Sequence, residues 1–160
     1  MSSARTAILT DHDFSKSLFI KSNKTIDNII FGKYAEECIF HCIKIYKLEV
    51  KSNNLFFDTS RSFFYPPMGE KVNFKQAIIE KWKIEIAKQL LDSIPDAILN
   101  SNKKDTNFNC AGCGDGEILY LQITSNNEVQ RVYINPNLGP LPSEIRPFAI
   151  LLTKALQKLE

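Results

Sequence analysis

Residues 117–125, EILYLQITS, constrain this chain more than any other stretch. Ile118, Tyr120, Gln122 and Thr124 alternate with Leu119, Leu121 and Ile123, the two-residue period of a β-strand. Asn126, Asn127 and Glu128 supply a turn, and VQRVYIN (129–135) returns as the second strand of a hairpin. The chain must therefore build a sheet, and the other segments must cover it.

Several segments join that sheet. SLFIKSN (17–23) reads as a short first strand. ECIFHCIKIYKLEV (37–50) is the strongest strand candidate by composition, with Lys44, Tyr46 and Leu48 on one face and Ile43, Ile45 and Lys47 on the other. KSNN provides turn residues, NLFFDTS (54–60) pairs back, and YPPMGE (65–70) is a loop because its prolines cannot donate to a ladder.

A long helix is expected next, with Asn73 as N-cap, Gln76 completing a capping box and Val72 as staple. Its stripe is Ile79, Trp82, Ile86 and Leu90, flanked by Ile78, Ala87, Leu91 and Ile94, and Ile84 falls outside it. Pro95 stops or kinks the helix, and DAILN adds one further turn. SNKKDTN (101–107) is a polar connection, and PNLGPLP is a loop. Ser143 caps a C-terminal helix carrying Ile145, Phe148, Ile150, Leu151, Leu152, Ala155, Leu156 and Leu159, with Pro147 in its first turn or just beyond. The expectation is one α+β domain over 1–160, with 1–14 a poorly packed lead-in. An antiparallel sheet of four or five strands carries the long central helix and the C-terminal helix on one face.

Composition removes several function classes. Twenty basic and eighteen acidic residues leave a charge of +2, too balanced for binding nucleic acid by phosphate neutralisation. Arginine, the usual base and phosphate reader, occurs only at positions 5, 61, 131 and 146. No apolar run approaches the roughly 18 residues of a membrane helix. MSSARTAILTDHDFSK lacks the continuous apolar region of a signal peptide. The sequence as given reads as cytoplasmic, or as extracytoplasmic if a leader has been removed and 1–7 are a remnant.

FNCAGCGDGE (108–117) carries the most evident chemistry. Cys110 and Cys113 have the spacing of a redox pair, but low-pKa pairs sit at helix N-termini, and here Gly114, Asp115 and Gly116 lead into a strand. Zinc is an alternative cofactor, with Cys38 and Cys42 completing a set of four ligands. On a regular strand those two lie roughly 13 Å apart, too far for one metal without a bulge. The third reading is structural: a short-loop disulfide, a disulfide to Cys38 or Cys42, or thiols bracing a turn in which glycines take positive φ.

His12, in DHD near a terminus, and His41, in an apolar strand, lack a nucleophile partner at motif spacing. Arg61, Phe63, Phe64 and Tyr65 form a candidate binding patch, since arginine and aromatics anchor interfaces, unless they fold under to close the core. No dinucleotide fingerprint, phosphate loop or metalloprotease motif occurs.

LLDSIPDAILN (90–100), CAGCGDGEILYLQI (110–123) and LPSEIRPFAILLTKAL (141–156) together resemble a bacterial family of small uncharacterised, often lipoprotein-like proteins. In that family an LLxxIP helix end precedes a CxxCxDGG loop, a hairpin and an LPxxLxPF helix. Cys110, Cys113, Asp115 and Gly116 match the loop, and Glu117 replaces its second glycine. The resemblance implies the fold and assigns no reaction. The expected function is a non-enzymatic binding domain with a structural cysteine loop and a protein or small-molecule partner. The alternatives are thiol-disulfide exchange and a zinc-stabilised module.

Overall fold

The computed structural model describes residues 20–21, 24–35, 43–60, 72–110, 116–137 and 139–160. The strands are β1 (Ile20–Lys21), β2 (Lys24–Thr25), β3 (Asn28–Ala35), β4 (Lys44–Glu49), β5 (Asn54–Phe57), β6 (Gln76–Ile78), β7 (Asp105–Phe108), β8 (Glu117–Ser125) and β9 (Glu128–Ile134). The helices are α1 (Lys81–Asp92), α2 (Asp96–Leu99) and α3 (Arg146–Leu159).

The fold is α+β. Among the described residues, seven strands form one sheet in the order β6-β5-β4-β3-β8-β9-β7, and β1 and β2 pair separately. Neighbours are antiparallel except β7, which runs parallel to β9, so the sheet is wider than expected and mixed. Its centre is the β3–β8 ladder, which runs from Asn28↔Thr124 to Ala35↔Glu117. The predicted hairpins, β4–β5 and β8–β9, are both present.

Strand alternation separates two apolar layers. Phe31, Tyr46, Leu48, Leu55, Leu119, Leu121 and Val132 point into the layer shared with α1, α2 and α3. The helical contribution includes Leu90, Leu91, Ile98, Phe148, Leu152 and Leu156. The opposite face carries Tyr34, Ile45, Ile118, Tyr120 and Tyr133, against which Val72 and Phe74 pack. The rings of Tyr120 and Tyr133 lie 5.3 Å apart. Helices thus occupy one face, as expected, while tyrosines bury the middle of the other.

The long helix differs from expectation. Residues 76–78 are strand, and α1 starts only at Lys81, with Glu80 as N-cap. Asn73 does accept a backbone N–H, but from Lys75, two residues on, at 3.2 Å. That is an Asx turn, which launches an extended chain. The Ile79–Trp82 end of the predicted stripe is consequently exposed (85% and 54%), while Ala87, Leu90, Leu91 and Ile94 are buried and Ile84 packs against the core. The halt at Pro95 and the further turn at 96–99 are as predicted. The Ser143 cap is not formed: Ile145 is the N-cap of α3, and the Ser143 hydroxyl lies 3.3 Å from Glu144.

Candidate functional site

The cysteine motif leaves one end of the sheet. Lys44, Lys33, Leu119, Ile134 and Phe108 stand in one row across β4, β3, β8, β9 and β7. Immediately past Phe108, Asn109 and Cys110 take left-handed backbone conformations, with φ of 57° and 47°. Asn109 tolerates this geometry well, and its Nδ2 donates to the carbonyls of Gly139 (2.9 Å) and Asn135 (3.3 Å). Gly116, at φ 152°, has the positive φ expected of a turn glycine, and strand β8 follows at once. The helix dipole that would acidify a redox thiol is therefore not supplied by the next element.

Cys113, Gly114, Asp115, Cys38, Cys42, His12 and His41 lie outside the described residues, and with them the test of the redox, disulfide and zinc alternatives. Among the described residues, no three His, Cys, Asp or Glu side chains converge on a metal position.

The patch Arg61, Phe63, Phe64 and Tyr65 also lies outside the described residues, but both flanks of its segment are fixed. Asp58, 2% exposed, accepts hydrogen bonds from the backbone of Ser60 (2.9 Å) and of Asn73 (2.7 Å), and from the Ser60 hydroxyl (2.9 Å). Thr59 N–H donates to the Asn73 carbonyl at 3.2 Å. A buried carboxylate is thus satisfied while it ties the end of β5 to the start of the β6 approach.

Charge gathers where α3 ends. Lys44 and Lys33 reach Glu160 at 2.8 and 3.3 Å, and Lys33 also reaches Glu117 at 3.2 Å. The hydrogen bond from Lys44 holds the Glu160 carboxyl below its ordinary pKa; partial burial opposes this, and Lys33 adds to it. For Lys33, burial pulls downward but the bonds and charges of Glu117 and Glu160 win, so its pKa is raised. Burial, helped by the Glu160 charge, pushes Tyr46 up to about 12, and its hydroxyl donates to the Leu159 carbonyl at 3.4 Å. Each of these groups has a partner in the fold, and cations near a helix C-terminus are favoured there.

A different arrangement lies beside α3. A groove of about 450 Å³ runs between the helix and the 136–141 loop. Arg146, Ala149, Ile150, Thr153, Lys154 and Gln157 form one wall, a single helical face about 16 Å long. Pro136, Gly139, Pro140 and Leu141 form the other. Ile150 is 49% exposed. Sequence reasoning counted Ile150 among the apolar residues of this helix and assigned this face no role. The readable signal was an apolar residue at helical spacing from Arg146 and Lys154, opposite the Phe148–Leu152–Leu156 stripe.

Among the described residues, no helix is long and apolar enough to cross a membrane. Comparisons with family models, curated proteins and solved structures find no match to this chain.

Proposed function

We propose that the chain is a non-enzymatic binding domain whose ligand site is the groove beside α3 and whose cysteine corner is structural. The groove carries this reading. Its volume of about 450 Å³ falls within the range of small-molecule sites, and its apolar lining with a few polar groups has their composition. The corner contributes by position: Asn109, next to Cys110, grips Gly139, which is part of the groove wall. A disulfide at Cys110 then braces the site instead of performing exchange.

Mapping with small organic probes, isopropanol and phenol, followed through amide shifts, tests the reading. The probes are expected to converge on Gly139, Ala149, Ile150 and Thr153. Shifts dispersed over the surface, or concentrated elsewhere, would overturn it.

A further inference from the structure

We infer that the groove takes an amphipathic carboxylate, its hydrocarbon chain laid along Ala149 and Ile150 and its head on Arg146. The inference rests on the groove being the ligand site. Both charged residues lining it, Arg146 and Lys154, are cations, and among the described residues no carboxylate lines it. An anion gains from both charges, whereas a cationic ligand is repelled by both. Arg146 is already oriented, since its Nη2 donates to the Leu141 carbonyl at 3.2 Å on the facing wall. A guanidinium held by one nitrogen keeps further donors in a planar fork that matches a carboxylate. Lys154, two turns on, adds charge, and its methylene stem can lie along the apolar surface.

The walls argue against other occupants. A bound peptide must pair its own N–H and C=O groups or leave them unsatisfied at a cost. Pro136 and Pro140 have no N–H to offer, and the Thr153 hydroxyl already donates to the Ala149 carbonyl at 2.9 Å. The helix wall spends its backbone donors internally. A multiply charged phosphate fits no better, because most N–H groups at the start of α3 are already spent. Ile145 and Arg146 N–H donate to the Pro142 carbonyl and Ala149 N–H donates to Ile145, while Pro147 has none. One guanidinium and one distant ammonium suit a single negative head, and a hydrocarbon chain asks nothing polar of the walls.

The full chain is titrated with octanoate, octyltrimethylammonium and 1-octanol, followed by the amides of Gly139, Leu141, Ala149, Ile150 and Thr153. Octanoate is expected to bind saturably and more tightly than the other two. Arg146→Gln should weaken octanoate about tenfold while leaving 1-octanol unchanged, the loss expected of one charge-assisted contact. Ile150→Glu, at an exposed position, keeps the test valid if Arg146→Gln does not fold. Its added charge must weaken octanoate more than 1-octanol. Equal binding of octyltrimethylammonium and octanoate, or indifference of octanoate to these substitutions, would overturn the carboxylate while the groove reading stands. If no probe moves these amides, both readings fall.

Discussion

A methyl group at position 32 has nowhere to go. Gly32 sits mid-strand in β3, paired with Ile45 on one side and Tyr120 on the other. A Cβ there would strike the Lys44 carbonyl oxygen and lie 2.9 Å from the Ile45 Cα. Both are backbone atoms of a neighbouring strand, so relief requires the ladder itself to shift. Glycine normally weakens a strand interior, but here the close approach requires it. Gly32→Ala is expected to destabilise the fold by about 2 kcal/mol, the scale of an overpacked core. Chemical denaturation checks it, and an unchanged midpoint would mean that β4 can move aside. Asp58 illustrates the complementary case, a buried polar residue kept because backbone and hydroxyl donors from Ser60 and Asn73 satisfy it.

Elements were legible in the sequence where local pattern and tertiary demand agree. The β8–β9 hairpin carries apolar residues on both faces because both are buried, so its β-rich apolar run between turn residues reads plainly as strand. β3 was missed: NIIFGKYA breaks its apolar run at Gly32 and Lys33, and only the sheet reveals why each is there. β6 was read as helix because Ile78 and Ile79 fit a helical stripe, whereas pairing with Leu55 and Phe56 prevails. β7 was hidden in a polar tract, as it lies at an edge and alternates exposed with half-buried residues. The site was less legible still: Cys110 stood out by type, whereas the groove depends on which loop faces α3.

The same scale governs how α3 is held. Its C-terminal end rests on Lys44, Lys33 and Tyr46 through Glu160 and the Leu159 carbonyl. Glu160 has a lowered folded pKa, so its contribution is present above the unfolded value near 4.5 and is lost as pH falls through the folded value. Lys33 is the reverse: its raised pKa keeps its contribution below 10.5, and that is lost as pH rises through the folded value. The Glu160 side chain is 37% exposed, so solvent screening keeps the effect small. Glu160→Gln should cost on the order of 0.5 kcal/mol at neutral pH. The two proteins should converge in thermal stability as pH falls through the lowered folded value of Glu160, where the carboxylate becomes protonated. A difference that persists in strong acid would assign the loss to packing instead of charge.

At the scale of the whole molecule, two halves of the chain meet at one ladder. The β3–β6 meander and α1 come from the first half, and β7–β9 and α3 from the second. They are joined by the eight residue pairs of β3 and β8 and by the apolar layer that α1 and α3 share. Lys103 and Lys104 lie exposed just before β7, in the stretch that connects these halves. Cutting there should leave a nicked but assembled protein, because no apolar contact is lost. Size-exclusion chromatography under native conditions should show one species with an unchanged circular dichroism spectrum. Separation of the two pieces would mean that chain connection, not the ladder, holds the halves. The same nicked protein then tests for a disulfide from Cys110 to the first half of the chain. A bond to Cys113 closes a loop within the second fragment, so denaturing electrophoresis without reductant should show two bands. A bond to Cys38 or Cys42 would keep the fragments linked as one. Two bands are expected, and reduction of the intact chain should then cost about 2 kcal/mol, against about 4 kcal/mol for a loop of some 70 residues.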